Sequence, residues 1–281
     1  MQSIPHIPGY ECLQALGGGQ MTCVWSAREL ETDTPCAVKV LRRGWETDPT
    51  AIKLLQREAR TGLKVRHPHV VPFRRAHVTR PPYFLVMELL AGESLRSRLR
   101  REYRLTPATA LWIARQTAEA LAALHRLGFI HGDVKPDNIR LVDAGTAVLI
   151  DLGFAHRPGE NAALLEEGCL LGTVNYLPPE MCGEAPTADT SADLYSLGVT
   201  LFEMLTGTLP YPRGDIETTL RRHRDEPPAD LRRHCPVVVP GLAPLVERLL
   251  ARTPTDRPRA GALVQQLIGL EISEMARRRA A

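Results

Sequence analysis

The chain has 281 residues, of which 44% are hydrophobic and 24% charged, enough apolar content for a packed core. Its 35 Lys and Arg against 32 Asp and Glu leave a formal charge of +3, too mild a basic excess for a nucleic-acid-binding domain. There is no bilayer-length apolar run, no basic leader before an apolar stretch, and no C-x-x-C pair among the six cysteines. These observations argue against a membrane segment, secretion, a zinc site and a disulfide framework, and favour reduced thiols in a cytoplasm.

In chain order, residues 10–16, 23–29 and 35–41 are short segments rich in Val, Cys, Trp and Leu, divided by turn signals, and read as strands. Asp48 and Pro49 open a helix to about residue 64, because Asp caps well and Pro suits the first helical position; His67-Pro68 stops it. Two more strand-like runs follow at 70–78 and 83–88. After Ala91-Gly92 the pattern becomes helical. Thr106-Pro107 caps an amphipathic helix to about residue 127, and further helices are expected near 191–206, 215–223, 242–251 and 259–270. The Arg277-Arg278-Arg279 end reads as a frayed, solvated tail, and the Arg96–Arg104 and Arg221–Arg224 runs as solvated basic faces.

Four sites carry chemistry. Leu16-Gly17-Gly18-Gly19-Gln20-Met21-Thr22-Cys23-Val24 puts glycines between two strands, where backbone N–H groups can face phosphate oxygens; three glycines alone are more often a plain tight turn. Lys39, in Ala37-Val38-Lys39 on the third strand, needs a partner if it is buried, and Glu58 on the following helix offers one; the alternative is a lysine whose ammonium reaches solvent. In His131-Gly132-Asp133-Val134-Lys135-Pro136-Asp137-Asn138, Asp133 can accept a hydroxyl proton, Lys135 can neutralise a phosphoryl group and Asn138 can bind a cation. Asp151, after the apolar Val148-Leu149-Ile150, adds a carboxylate suited to a hard cation such as Mg²⁺.

Together these motifs resemble the protein-kinase signature set, and the likeness runs over roughly residues 10–270, in the style of bacterial serine/threonine kinases of the eukaryotic-like type. It continues in Gly172-Thr173-Val174-Asn175-Tyr176-Leu177-Pro178-Pro179-Glu180, in Asp193, similar to the helix carboxylate that braces the catalytic loop, and in Arg257, similar to the partner of Glu180. The resemblance implies an α+β, two-lobed fold: an N-terminal extension (1–9), a small antiparallel-sheet lobe with one helix (10–90), a larger helical lobe (91–270) and a tail (271–281). It implies ATP at the joint and a divalent cation, Mg²⁺ with Mn²⁺ as alternative. By residue, it implies that Gly17 and Gly19 cover the phosphates, that Leu16 and Gly18 also belong to the nucleotide site, and that Lys39, held by Glu58, contacts the α- and β-phosphates. Met87 is the gatekeeper; the backbone from Glu88 to Leu90 meets adenine, with Val24 and Ala37 above the ring and Leu141 below. Asp133 is the acceptor's base, Lys135 stabilises charge, and Asn138 and Asp151 hold the metal. The implied reaction is phosphoryl transfer to Ser or Thr of a protein partner; the oligomeric state is not read from the residues.

Three positions depart from the pattern: Thr22 replaces the third glycine of the loop, Leu152 stands in the metal-binding triplet where Phe is common, and Gly132 stands where many kinases carry Arg. That Arg receives a phosphate on the activation loop, and residues 152–172 contain no Ser, Thr or Tyr, so the expectation is a kinase not switched on by phosphorylation there. Glu166 and Glu167 read as solvated, and Cys23 and Cys169 as ordinary thiols. A small-molecule phosphotransferase would explain Gly132 but not Lys135, residues 172–180, Asp193 or Arg257. A nucleotide-binding pseudokinase would normally lack one of Lys39, Asp133 and Asp151, all of which are present.

Overall fold

The computed structural model describes residues 4–166, 171–183, 186–235 and 239–280. Two compact units result, Met1–Ala91 with Asp151–Gly153, and Gly92–Ile150 with Phe154–Ala281. The change of unit at Ala91/Gly92 falls at the turn that separates strand-like from helical sequence, while Asp151–Gly153 belongs with the first unit although it lies inside the span expected for the second lobe.

The first unit is an antiparallel sheet of strands β1 (Tyr10–Gly18), β2 (Thr22–Glu29), β3 (Pro35–Leu41), β4 (Phe73–His77) and β5 (Phe84–Glu88), in the order β1-β2-β3-β5-β4, with helix α1 (Pro49–Lys64). Alternation along β3 puts Cys36, Val38 and Val40 in a core with Trp25, Phe84 and Val86 and turns Lys39 to the opposite face. α1 begins where expected, since Asp48 accepts a hydrogen bond from Ala51 N (2.8 Å), a cap that stabilises by about 1 kcal/mol. Its Gly62 has a packing reason: a Cβ there would lie 2.4 Å from the Phe73 ring. β4 is shorter than the 70–78 run, because Pro72 has no N–H for a ladder and the buried Val70 and Val71 precede it. Three of the cysteines, Cys12, Cys23 and Cys36, meet in the core, and burial pushes the Cys12 thiol up to about 11.

In the second unit a small sheet, β6 (Glu93–Ser94), β7 (Ile139–Val142) and β8 (Thr146–Leu149), accompanies helices α2 (Leu95–Glu102), α3 (Pro107–Arg126), α4 (Ala162–Glu166), α5 (Thr190–Thr206), α6 (Ile216–Asp225), α7 (Leu231–His234), α8 (Leu242–Leu249) and α9 (Ala260–Ala280). α5 is the central helix, buried from Ala192 to Thr206. It ends at Gly207 (φ 76°), where a Cβ would meet Tyr103 at 2.7 Å. α3 packs against both α5 and α9. Among the described residues no helix is long and apolar enough to cross a membrane.

Two expectations are corrected. The Arg96–Arg104 stretch is not a plain solvated face: it forms α2, whose buried Leu95 and Leu99 are too few to announce a helical period. Arg98 and Arg101 of α2 pair with Glu93 (both 2.7 Å), and Arg96 turns inward. The C-terminal arginines are not a frayed tail, because α9 runs on past residue 270 and Arg277 and Arg278 pair with Glu274 at 2.9 and 3.2 Å. The second basic run lies at the surface as expected, where Arg221 pairs with Glu226 (2.9 Å) and Arg224 with Asp225 (2.9 Å).

Candidate active site

In the first unit the geometry resolves the question posed by Lys39. Its side chain is 9% exposed and Nζ lies 2.8 Å from Glu58 Oε2 and 2.7 Å from Asp151 Oδ1. Burial opposes the ammonium, but Asp151 and Glu58 more than offset it, so Lys39 stays firmly protonated. Burial likewise raises Glu58 to about 6, against the opposing pull of Lys39. Asp151 adopts a left-handed backbone (φ 61°), and its Oδ1 also accepts the Gly153 N–H (3.2 Å). Gly153 is glycine for lack of room: a Cβ would sit 3.2 Å from Lys39 Nζ and 3.1 Å from Asp151 Oδ1.

The glycine-rich segment is an extension of β1. Gly17 and Gly18 both take positive φ (153° and 148°), and at Gly18 a Cβ would meet Thr22 O at 2.5 Å, so this glycine is the one the hairpin demands. Gly19 N–H donates to Thr22 O (3.0 Å) and Leu16 is half-exposed. Thr22, in place of a third glycine, starts β2 opposite Leu41. Ala37, Met87 and Val24 lie on the first-unit sheet, where Ala37 and Met87 face each other across β3 and β5; Glu88 ends β5 exposed, followed by Leu90. Cys23 is buried and accepts the Trp25 indole N–H at 3.2 Å.

In the second unit the loop 131–138 converges on Asp133. Its Oδ1 accepts the Thr173 hydroxyl (2.7 Å), and its Oδ2 accepts the Asn138 amide (2.9 Å) and faces Lys135 Nζ at 2.6 Å. Lys135 also donates to Thr173 Oγ1 (2.5 Å). Asn138 Nδ2 bonds the Asp133 carbonyl as well (2.8 Å), while its side-chain oxygen makes no hydrogen bond among the described residues. Leu141 lies buried on β7.

This loop is braced from below by Asp193, which is 1% exposed and accepts the backbone N–H groups of His131 (2.8 Å) and Gly132 (2.9 Å). Burial pushes its carboxyl up, but hydrogen bonds and charge from His125 and His131 prevail and hold it below the usual carboxylate range. His125 Nε2, 2.8 Å from Asp193 Oδ2, escapes a reading of the sequence because it lies on the amphipathic helix α3, six residues before the loop motif. Gly132 is left-handed (φ 78°), and a Cβ would stand 3.0 Å from Phe154 O. Arg257 and Glu180 form a two-pronged pair (2.6 and 2.7 Å) with the guanidinium fully buried, fixing the segment that carries Thr173. Residues 167–170, with Glu167 and Cys169, and the side chain of Glu166 lie outside the described residues.

A sequence model of the protein kinase domain matches residues 10–267. The serine/threonine-protein kinase PknD of Mycobacterium tuberculosis is 34% identical over 252 residues, covering 88% of this chain and 37% of PknD. PknA of the same species is 33% identical over 257 residues (90% of this chain, 58% of PknA), and PkaB of Streptomyces coelicolor is 34% identical over 269 residues (92% of this chain, 62% of PkaB). The chain thus spans between about a third and three-fifths of the length of these relatives. A sheet unit that buries a lysine between two carboxylates, a helical unit that braces an aspartate loop from its central helix, and a family match across both make this chain a member of the protein kinase domain family, with the two-lobed fold of that family.

Proposed function

We propose that the chain is an ATP-dependent serine/threonine protein kinase that transfers the γ-phosphoryl group to protein hydroxyls. The observation that carries this reading is Asp133, whose carboxylate already holds one threonine hydroxyl, that of Thr173, at 2.7 Å with Lys135 beside it. A hydroxyl acceptor in the same relation would give its proton to Asp133 while Lys135 neutralises charge on the group being transferred. Lys39, kept charged by its carboxylate partners, is the cation for the α- and β-phosphates, and the glycine-rich segment of residues 16–19 covers the phosphates. Met87, Glu88, Leu90, Val24 and Ala37 receive the adenine.

The donor chemistry fits a divalent cation. Asp151 is a carboxylate, and Asn138 spends its amide nitrogen on Asp133 and keeps its oxygen, the hard-donor type that Mg²⁺ prefers. When bound, such a cation neutralises phosphate charge and orients the γ-phosphoryl group. Pairing of Lys135 and Thr173, together with residues 172–180, favours a protein Ser or Thr acceptor over a small molecule.

This kinase is not switched on by phosphorylation within residues 152–172, which contain no Ser, Thr or Tyr, and Gly132 offers no guanidinium to receive a phosphate. The test is incubation with γ-labelled ATP, Mg²⁺ and a generic basic protein, followed by phosphoamino-acid analysis. Label on Ser or Thr is expected, with full activity kept after phosphatase treatment. Nucleotide binding without any label would overturn the kinase reading, and loss of activity on dephosphorylation would place a switching phosphate outside residues 152–172.

A further inference from the structure

Four side chains of the second unit form a charged cluster that the proposed reaction does not use. Arg96 of α2 donates from Nη1 to Glu203 Oε1 (2.6 Å), from Nε to Asp137 Oδ2 (3.1 Å) and from Nη2 to the Tyr176 hydroxyl (2.5 Å). Tyr176 in turn donates to Glu203 Oε2 (2.6 Å). Burial and the neighbouring Glu203 push the Tyr176 pKa up, so it remains a neutral phenol, and the cluster holds one cation against two carboxylates. One end is closed and the other open: side-chain exposure is 6% at Glu203, 16% at Arg96 and 48% at Asp137.

The cluster abuts the acceptor site on two sides. Asp137 precedes Asn138, whose amide holds one oxygen of Asp133. Tyr176 follows Thr173, whose hydroxyl holds the other, and the Tyr176 N–H donates to Thr173 O (2.8 Å). A peptide that offers its hydroxyl to Asp133 therefore runs beside this cluster. Without Arg96, a buried and a half-exposed carboxylate would stand there with a phenol, a set that demands a cation. A guanidinium satisfies it best, because its planar fork can serve several acceptors at once.

We infer that Arg96 is a specificity-determining residue: from within the chain it fills an acidic subsite beside the acceptor carboxylate that would otherwise take a Lys or Arg side chain of the peptide substrate. A substrate cation would have to displace Arg96 and would be repelled by it, so the chain does not select basic residues next to its acceptor. This inference rests on the proposed kinase activity.

The experiment uses the full chain, Mg²⁺-ATP and a peptide set with one Ser or Thr acceptor, in which each flanking position is in turn Arg, Glu or Ala. Phosphorylation of a generic protein by the wild type is established first; its failure would indict the kinase reading and not this one. The wild type is expected to favour Arg over Ala by less than twofold at every position. Arg96→Met should gain at least a tenfold preference for Arg at one or more positions, expressed in KM and not in kcat, and Arg96→Met with Asp137→Asn should lose most of it. A purely structural role for Arg96 would lower kcat on all peptides alike without changing their ranking, and that result overturns the inference. Asp137→Asn alone keeps the test decisive if Arg96→Met does not fold. With Arg96 in place it should leave the ranking unchanged within twofold, whereas a wild-type preference for Arg that Asp137→Asn abolishes would show the subsite to be open.

Discussion

The clusters around Lys39 and Asp133 are built by opposite means. Lys39, Glu58 and Asp151 come from a strand, a helix and a turn, 19 and 112 positions apart, and meet only because tertiary packing brings them together. Asp133 and Asn138 are five positions apart on one loop, which takes from elsewhere the brace of Asp193 and the hydroxyl of Thr173. The first is an ion network of one lysine against two carboxylates, with Lys39 and Glu58 buried and Asp151 half-exposed. The second is a hydrogen-bonded loop with its carboxylate directed at a hydroxyl. A change in the first cluster therefore strikes fold and chemistry together, while a change in the second strikes chemistry with the fold kept.

Lys39→Met is the strongest way to probe the first half of that contrast. It leaves Glu58 and Asp151 facing each other without their cation, so phosphoryl transfer should fall about 100-fold or more and stability by about 3 kcal/mol, as when one partner of a buried pair is removed. Adding Glu58→Gln should restore part of the stability and none of the transfer, read by thermal melts and labelled-ATP assays on the same samples. An unchanged melting temperature in Lys39→Met would show that this cluster does not support the fold.

Away from both clusters, His223 sets a pH dependence that belongs to the fold alone. It is buried, hydrogen-bonded to the Tyr195 hydroxyl at 2.9 Å, and burial depresses its pKa from 6.5 to about 4. Between those values the unfolded chain binds a proton that the folded chain refuses. Stability is therefore full above pH 6.5 and declines by about 3 kcal/mol as pH falls to about 4. Denaturant titrations along this range should show the loss, and His223→Gln should flatten it.

Asp193→Asn sharpens the second half. The amide has one oxygen for two backbone N–H groups, so the brace is weakened by about 2 kcal/mol while the loop's own residues are untouched. Transfer should drop about tenfold through kcat, with nucleotide affinity unaltered. A large loss of nucleotide affinity would mean that the loop is not an independent device.

How much of this was legible in the sequence follows the same division. The loop residues, the brace and the Arg257–Glu180 pair lie in contiguous motifs, and the structure joins them as the motifs imply. The start of α1 was legible because Asp48 and Pro49 are local signals. Strand β3 was also legible, but whether Lys39 was buried or merely exposed beside it was not, since the answer depends on a carboxylate 112 positions away. The role of Arg96 was hidden for a related reason: in sequence it is one of five arginines, and only tertiary contact with Glu203, 107 positions on, separates it from neighbours that pair at the surface. The continuation of α9 was missed because its later residues expose Ile272 and Met275 and so break the apolar stripe.

The most direct test is Asp133→Asn, with nucleotide affinity and γ-phosphoryl transfer measured on one preparation. The amide keeps the shape of the side chain but no longer takes the acceptor's proton, so transfer should fall about 1,000-fold with nucleotide affinity and melting temperature near those of the wild type. Wild-type transfer by this variant would contradict the assignment of Asp133 as the residue that receives the hydroxyl, and with it the account of the second cluster.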